Sequence, residues 1–299
     1  MAPPTAIVTG GCSGLGLGLT KYLLERKWNV VQADVNPPAE TLDNTTFIKC
    51  DVSSWEDNAA LFKQAYEWQG RLDFVALNAG IDDRDDIFKS ISNDPNNPPK
   101  KPNLKTIDVD LIGPYYGCKL AAHYLSLDSK AAGKPQPGGK IVITSSAAGI
   151  YPAPFVPQYA MAKTGLVGLT RALAPNGRAV NITVNAVCPA LVKTNLAPPG
   201  LLEQFGEEKF TPMSTIMRCF SELADLENVR DEDWVEKGKT GETVEGNIEE
   251  LIYHTPPIRA EANSVHDEAG DRAWLSIYEE RNRKFAMTDW ANDQAEKLQ

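Results

Sequence analysis

The sequence predicts an α/β fold, in which a doubly wound parallel sheet of about seven strands carries helices on both faces. Two observations support this prediction. Short apolar runs typical of buried strands alternate along the chain with segments of helical periodicity. A glycine-rich turn at residues 10–16 directly follows the first strand and leads into the first helix. This order of elements is typical of parallel sheets whose consecutive strands are connected by helices.

The first half of the chain contains four predicted strands and two predicted helices. The strands lie at residues 6–9, 29–33, 46–50 and 72–77, and the helices at residues 15–27 and 53–69. Ser53 or Ser54 is expected to cap the second helix, because a hydroxyl there accepts a free backbone N–H of the first turn. Residues 82–103 are polar and rich in proline, which predicts a surface insertion.

The second half continues the alternation and then becomes irregular. It predicts helices at 104–127 and 158–175, strands at 141–143, 182–187 and 242–245, and a loop at 128–139. The irregular segment 194–224 contains paired prolines and is expected to be a mobile lid over a cleft. Residues 1–255 are predicted to form one domain, and 256–299 a C-terminal extension with a helix at 272–290.

Composition and charge exclude several classes of protein. The chain has 299 residues, of which 42% are hydrophobic and 23% are charged, as in ordinary soluble globular proteins. A net charge of −10 argues against nucleic acid or an anionic membrane surface as a partner. We expect no membrane span, because no apolar run approaches the required length of about 18 residues. The first residues lack the features of a secretory signal.

The cysteines and histidines point to a reduced protein without a metal. The five cysteines are scattered and form no C-x-x-C pair, which predicts a reduced, cytoplasmic setting. The three histidines have no ligand spacing, so we interpret them as structural or surface residues and expect no metal site. They are His123, His254 and His266.

The glycine-rich turn is a candidate nucleotide site. Gly10-x-x-x-Gly14-x-Gly16 lets backbone N–H groups approach a phosphate, although such turns also occur for steric reasons alone. Asp34 ends the second strand, where a carboxylate accepts from ribose hydroxyls and repels a ribose phosphate. No lysine or arginine stands at positions 12, 13, 35 or 36 to bind such a phosphate. The sequence therefore favours NAD over NADP.

Tyr159 and Lys163 are candidate reaction groups. They lie four residues apart, on one face of the predicted helix, and Ser146 ends the strand before it. A phenol, an ammonium and a hydroxyl together can carry out acid–base chemistry. Alone, however, the pair is weak evidence, because a half-buried tyrosine and a solvated lysine more often have this spacing by chance on a surface helix.

Five features in this order resemble the short-chain dehydrogenase/reductase family. They are Thr9-Gly10-x-x-x-Gly14-x-Gly16, Asn78-Ala79-Gly80, Ser146, Tyr159-x-x-x-Lys163 and Pro189. The resemblance covers residues 5–250 and is greatest to the NAD-dependent, 15-hydroxyprostaglandin dehydrogenase-like branch. It implies a Rossmann fold and hydride transfer between the nicotinamide of NAD and a secondary alcohol or ketone.

The resemblance implies roles for the candidate reaction groups. Tyr159 would be the general acid/base, and Lys163 would lower its pKa from the usual value of about 10 and bind the nicotinamide ribose. Ser146 stands at the family's usual distance before Tyr159 and would hold the substrate oxygen. Ser145 is the alternative, but strand alternation turns it to the other face.

The resemblance also implies a set of cofactor-binding residues. Asp51 and Val52 match positions that contact adenine, and Val192 and Thr194 match those that hold the carboxamide. Asn78 can equally serve as a strand-end turn stabiliser. The complete set is Gly10, Cys12, Ser13, Gly14, Leu15, Gly16, Asp34, Asp51, Val52, Asn78, Ala79, Gly80, Tyr159, Lys163, Pro189, Val192 and Thr194.

Two residues depart from the family pattern. Ala190 replaces a glycine, which is a mild change unless the position needs a positive φ. Asp110 stands where the family has a fourth catalytic residue, an asparagine. An ionised Asp110 would attract Lys163 and alter the proton relay, whereas an ordinary helix-surface aspartate fits the sequence equally well.

The substrate-binding residues are the part of the site that the sequence determines least. Tyr151, Phe155 and residues 196–220 are expected to line a pocket for a lipophilic or aromatic alcohol or ketone, or else only to pack the lid. The substrate-binding set is then Ser146, Tyr151, Phe155 and Tyr159. By analogy with the family we expect a homodimer or homotetramer paired through helices 104–127 and 158–175. The alternative function is a non-redox protein of this fold, a cyclase, an isomerase or a nucleotide-binding module.

Overall fold

Eight short strands with apolar, mostly buried side chains supply the sheet. In a computed structural model they are β1 (Thr5–Thr9), β2 (Asn29–Asp34), β3 (Thr45–Lys49), β4 (Phe74–Leu77), β5 (Gly139–Thr144), β6 (Ile182–Pro189), β7 (Thr243–Asn247) and β8 (Glu250–Tyr253). The structure describes residues 2–85, 87–88, 94–229, 231–257 and 268–297, with side chains in the last range only for residues 269–284. These residues divide into two compact units, of which the first ends at His254 and the second starts at Thr255.

The strands form one sheet in the order β3-β2-β1-β4-β5-β6-β7-β8. The first seven run parallel, and β8 pairs antiparallel with β7. The prediction of a doubly wound α/β fold is confirmed. The prediction of seven strands is one short, because β8 has only four residues and is separated from β7 by a tight turn at Ile248 and Glu249. Such a short edge strand leaves almost no periodic signal.

Six of the described helices lie between strands along the chain, and the seventh follows the last strand. They are α1 (Gly14–Glu25), α2 (Trp55–Gln69), α3 (Lys105–Ile107), α4 (Gly113–Leu125), α5 (Pro157–Ala179), α6 (Met213–Ala224) and α7 (Glu268–Lys297). A π-helical segment, Asp108–Ile112, joins α3 to α4. Ser54, rather than Ser53, caps α2 by accepting from the backbone N–H of Asp57. Short 3₁₀ helices lie at Lys130–Ala132, Ala147–Gly149, Leu202–Gln204 and Glu207–Lys209.

Helix α5 continues past the proline at which it was predicted to end. Pro175 lies inside the helix, which reaches Ala179. A proline removes one hydrogen bond, but packing against the sheet holds the last turn in place. A Cβ added at Gly177 would lie 2.8 Å from the carbonyl oxygen of Ile182. This close packing against β6 explains why the helix continues although Pro175 favours its termination.

Two apolar cores lie on opposite faces of the sheet. Successive residues of a strand point to opposite faces. Val8 therefore packs with Leu19 of α1 and Phe220 of α6. Its neighbour Ile7 packs on the other side with Phe62 of α2, in a core that α4 and α5 also contribute to. All of these side chains are fully buried, so both faces of the sheet are covered.

Part of the predicted lid belongs to the core. Ile216, Cys219, Phe220 and Leu223 recur at helical spacing on α6 and are fully buried. Burying each large apolar side chain stabilises the fold by about 2 kcal/mol, so α6 contributes to the core in this structure. The expectation of a mobile lid over residues 194–224 stays a prediction.

The remaining segments were predicted with different success. Helix α7 is longer than the predicted helix at 272–290, and Trp274 and Ile277 on it are exposed. His266 and part of the predicted insertion, residues 86 and 89–93, lie outside the described residues.

Among the helices that the structure describes, none combines the length and apolarity needed to cross a bilayer. The described His, Cys, Asp and Glu side chains form no group of three that could hold a metal ion.

Candidate active site

A cleft of about 1200 Å³ lies at the carboxyl ends of the central strands. It brings together most of the predicted site residues: Gly10, Ser13, Gly14, Leu15, Asn78, Ala79, Gly80, Ser146, Tyr151, Phe155, Tyr159, Lys163, Pro189, Val192 and Thr194. Six others are not among its lining residues, namely Cys12, Gly16, Asp34, Asp51, Val52 and Asp110. In open parallel sheets this edge is where ligands bind.

The glycine-rich turn has a conformation that requires glycine. Gly10 and Gly14 have positive φ angles of 64° and 49°. A Cβ added at Gly16 would lie 2.0 Å from the carbonyl oxygen of Gly10, so the turn closes only without a side chain there. Ser13 precedes α1 but makes no side-chain capping bond, which leaves the amide groups of the first turn free for another acceptor.

Asp34 is tied to the same turn. One carboxylate oxygen accepts from the backbone N–H of Cys12 at 3.2 Å, and the other accepts from that of Asn36 at 3.1 Å. These bonds hold a carboxylate at the end of β2, next to the glycine-rich turn. No basic residue stands at positions 35 or 36.

Asn78 ties three strand ends together and also lines the cleft. Its backbone N–H donates to the hydroxyl of Thr9, and its side-chain amide donates to the Thr9 carbonyl at 3.1 Å. The hydroxyl of Thr144 donates to the Asn78 side-chain oxygen at 3.1 Å. The structural role considered for Asn78 is therefore present, and it coexists with a place in the cleft wall.

Lys163 is held under Tyr159 by the end of β5. Its side chain is almost fully buried, and Nζ donates to the carbonyl oxygen of Thr144 at 3.1 Å. Nζ lies 5.2 Å from the centroid of the Tyr159 ring. The first turn of α5 is fixed from outside, because Asp83 Oδ2 accepts from the backbone N–H groups of Gln158 and Tyr159 at 2.8 and 3.2 Å.

Asp110 is a buried partner of Lys163 and not a surface residue. It is 0% exposed, and Oδ2 lies 3.1 Å from Lys163 Nζ. Oδ1 accepts from the backbone N–H of Ile81 at 2.8 Å. Burial raises the pKa of the Asp110 carboxyl, and the ammonium of Lys163 opposes this. Burial would lower the pKa of Lys163, but the charges of Asp110 and Tyr159 outweigh it and raise that pKa.

The two candidate serines differ in what their hydroxyls do. Ser145 is buried and donates to the carbonyl oxygen of Lys163 at 2.7 Å, so its hydrogen is engaged within the fold. Ser146 Oγ accepts from the backbone N–H of Ala148 at 3.1 Å, which leaves its own hydrogen free to donate. Ser146 is also the more exposed of the two. This difference favours Ser146 as the group that meets a substrate oxygen.

Other predicted residues occupy less direct positions. The Asp51 carboxylate lies 3.0 Å from Lys105 Nζ and accepts from Ser53, and these bonds help to lower its pKa although burial alone would raise it. Val52 lines a separate small cavity. Ala190 is not among the described residues with positive φ, so its replacement of glycine imposes no backbone strain.

The far end of the cleft contains polar residues that the sequence did not single out. Glu245 of β7 is 1% exposed, and its carboxylate meets Tyr151, Asn247 and His254. The predicted substrate residues Tyr151 and Phe155 line the same region and are exposed. In the sequence, Glu245 stands out only as an acidic residue inside the predicted strand at 242–245. Its partners Tyr151 and His254 lie outside that strand, so the local pattern does not reveal them.

Comparison with known proteins identifies related sequences over most of the chain. The family model described as short chain dehydrogenase matches residues 4–200. The short-chain dehydrogenase/reductase prx7 of Penicillium rubens is 36% identical, over 71% of this chain and 77% of that protein. The short-chain dehydrogenase/reductase prx6 of the same organism is 32% identical, over 85% of this chain and 87% of that protein.

Two further comparisons are with a relative whose name includes a cofactor and with a solved structure that shares the fold. The NADP-dependent dehydrogenase clz5 of Cochliobolus lunatus is 35% identical, over 56% of this chain and 63% of that protein. A crystal structure of 3-ketoacyl-(acyl-carrier-protein) reductase from Brucella melitensis, complexed with NADH, matches with a TM-score of 0.67. It is 20% identical and covers 82% of this chain and 96% of that one, a likeness that establishes the fold alone.

Proposed function

Because the chain belongs to the short-chain dehydrogenase family, we propose that it is an NAD-dependent oxidoreductase acting on a secondary alcohol or the corresponding ketone. One observation carries the proposal. Tyr159, Lys163 and Ser146 line the same cleft as the glycine-rich turn. The proposal includes the resemblance to the 15-hydroxyprostaglandin dehydrogenase-like branch and a lipophilic or aromatic substrate.

The residues of the cleft fit a nicotinamide dinucleotide. The turn leaves no room for a Cβ at Gly16, and the uncapped start of α1 offers amide donors to a diphosphate. Asp34 offers a carboxylate to a ribose and supports NAD over NADP, since no basic side chain accompanies it at residues 35 and 36. When bound, the cofactor supplies a hydride acceptor or donor at its nicotinamide ring.

The protein's own groups handle the proton and the substrate oxygen. In the oxidation direction the Tyr159 phenolate takes the proton of the alcohol at the substrate oxygen, and in the reduction direction the Tyr159 hydroxyl gives its proton to the ketone oxygen. Ser146 donates its free hydroxyl hydrogen to that oxygen and orients it. The Lys163 ammonium, fixed by Thr144 and Asp110, stabilises negative charge on Tyr159. After oxidation Tyr159 releases the proton it gained to solvent, and after reduction it takes a proton back from solvent.

The test measures turnover with purified protein, NAD and a panel of secondary alcohols. We expect absorbance from reduced nicotinamide, and Tyr159→Phe should lower the rate by about 100-fold or more, since a positioned acid/base contributes at least that much. Undiminished turnover in that variant would exclude the mechanism. Nucleotide binding without hydride exchange on any alcohol or ketone would favour the non-redox alternative instead.

The same proposal covers the assembly and the setting of the protein. We expect a homodimer or homotetramer that pairs through α4 and α5, which carry the exposed residues Tyr115 and Met161. Sedimentation of the purified protein measures this directly. A cytoplasmic setting is supported by the five cysteines, all of which are free and buried.

A further inference from the structure

Three hydrogen-bond donors converge on one buried carboxylate at the substrate end of the cleft. The Tyr151 hydroxyl donates to Glu245 Oε2 at 2.9 Å, and the Asn247 side-chain amide donates to Oε1 at 2.8 Å. Nε2 of His254 lies 2.7 Å from Oε2. An ionised carboxylate can only accept, so His254 carries its hydrogen on Nε2. We call these four residues the Glu245 cluster.

The Glu245 cluster holds Tyr151 in a fixed orientation. The ring of His254 packs edge-on against that of Tyr151, with the centroids 5.8 Å apart. The backbone of His254 is itself held, because its carbonyl oxygen accepts from Arg171 at 3.0 Å. The hydrogen bond to Glu245 raises the pKa of Tyr151, so this phenol keeps its hydrogen and donates it to the carboxylate. Hydrogen bonds to a charged acceptor are among the strongest in proteins.

This arrangement presents acceptors to the cleft. The hydrogen of Tyr151 is committed to Glu245, so its oxygen has only lone pairs to offer, and its side chain is 49% exposed. The Asn247 amide directs an N–H to Glu245, and its side-chain oxygen is a second acceptor beside Tyr151. Both residues, with Glu245 itself, line the cleft. A ligand carbonyl, ether or carboxylate would meet acceptors or negative charge here, whereas a hydroxyl would be bound.

The cluster lies at a definite distance from the reaction groups. Ser146 follows β5, and Glu245 lies on β7, two strands away across β6. Glu245 pairs in register with Cys188, which is close to the end of β6. Neighbouring strands are about 4.8 Å apart, so the backbone positions of Ser146 and Glu245 are separated by about 10 Å.

We propose that the Glu245 cluster is a substrate-recognition site that selects alcohols bearing a second hydroxyl group about 10 Å from the reacting carbon. Tyr151 and Asn247 accept from this remote hydroxyl, and Glu245 and His254 are positioning residues that keep Tyr151 turned as an acceptor. The inference rests on the proposed oxidoreductase function and gives it a substrate class. Neither the composition of the pocket nor its volume supplies that class.

Three matched alcohols test it with the full-length protein and NAD. They are 4-phenylcyclohexanol, its 4-(4-hydroxyphenyl) analogue and its 4-(4-methoxyphenyl) analogue, which share one reacting carbinol. The hydroxyl and methoxy groups have similar size, but only the hydroxyl donates. We expect kcat/KM for the hydroxyl analogue to exceed that for the methoxy analogue by about tenfold, which is what one additional hydrogen bond contributes.

Variants locate the effect. Tyr151→Phe should abolish the preference for the hydroxyl analogue, so that the ratio of its kcat/KM to that of the methoxy analogue falls to about one. Tyr253→Phe is the matched control, because the Tyr253 hydroxyl also donates to a glutamate, Glu222, but that pair lies outside the cleft lining. Glu245→Gln places an amide against three donors and should reduce the same preference, with turnover of 4-phenylcyclohexanol reporting that the variant is folded.

The outcomes separate the two proposals. Equal kcat/KM for the hydroxyl and methoxy analogues, or a preference that survives Tyr151→Phe, would overturn the recognition site. Turnover of other secondary alcohols but of none of these three would overturn it as well. Absence of turnover with every alcohol and ketone would instead count against the oxidoreductase function.

Discussion

Asp110 and Lys163 form an ion pair of which both members are almost completely buried, with 3.1 Å between Oδ2 and Nζ. The pair lies directly behind Gly80, where an added Cβ would be 2.9 Å from Asp110 Oδ2 and 3.2 Å from Lys163 Nζ. One side of Lys163 thus faces Tyr159 and the other faces a fixed carboxylate. Breaking a buried pair leaves an uncompensated charge, and the carboxylate of Asp110 favours the charged form of Lys163 by helping to raise its pKa.

Asp110→Asn should narrow the pH range of activity from the basic side. Asp110 helps to raise the pKa of Lys163, so the ammonium persists to high pH in the native protein. Without the carboxylate, burial opposes the charged form with less compensation, and the pKa of Lys163 falls. The basic limb of kcat/KM against pH should move to lower pH. Asp108→Asn is the matched control, because Asp108 lies in the same π-helical segment and is exposed. An unchanged profile in Asp110→Asn would contradict the coupling.

The sequence left two interpretations of Asp110 because its burial depends on residues far away in the chain. Position 110 lies within an irregular π-helical turn, and helical periodicity cannot say which face such a turn presents. Lys163 and Ile81, which contact it, come from two other segments. Tyr159 and Ser146 could be singled out from the sequence, because both lie in one strand–loop–helix unit and their spacing there is recognisable.

Other features of the fold were predictable where the residues that form them are neighbours in the sequence. Strands such as β5 and β6 are buried on both faces, and their apolar runs record that burial in the local sequence. The Glu245 cluster combines the loop after β5 with the ends of β7 and β8, so no local pattern contains it. The bounds of α6 were not predictable, because irregular proline-rich residues precede the amphipathic segment and blur where its periodicity begins.

Gly16→Ala and Gly168→Ala should change stability in opposite directions. A Cβ at position 16 would meet the Gly10 carbonyl oxygen at 2.0 Å, which the closed turn cannot relieve. We expect a loss of about 3 kcal/mol in the free energy of unfolding, measured by urea denaturation. Gly168 lies in α5 with nothing within 4 Å of its Cβ position, so alanine there should add up to about 1 kcal/mol. Equal effects at both positions would mean that the turn is looser than described.

Asp83→Ala should weaken both stability and catalysis. Val156 provides no side-chain cap for α5, and Asp83 supplies the missing acceptor to the N–H groups of Gln158 and Tyr159. Removing it should cost about 1 kcal/mol, as for a helix cap. Because Tyr159 lies in the freed turn, kcat should also fall, by about tenfold or more.

The control for Asp83 is another aspartate that accepts a backbone N–H away from the cleft. Asp128 accepts from the N–H of Lys130 at 3.0 Å and is absent from the cleft lining. Asp128→Ala should lower stability without changing kcat. If both variants lose stability equally and neither loses kcat, Asp83 has no positioning role for Tyr159.

Asp34→Arg should shift the cofactor preference from NAD towards NADP. The carboxylate at the end of β2 is fixed by the backbone N–H groups of Cys12 and Asn36, so in the native protein a ribose phosphate would meet a negative charge that cannot turn away. Arginine removes that repulsion and offers a charge-assisted hydrogen bond worth about 1.5–3 kcal/mol, which corresponds to a change of about tenfold or more in the ratio of kcat/KM for the two cofactors. Asp43→Arg makes the same change in charge at an exposed position before β3 and should leave the ratio unaltered. A similar shift in both variants would show that net charge, and not contact at the end of β2, sets the preference. No shift in Asp34→Arg would refute the assignment of Asp34 to the ribose.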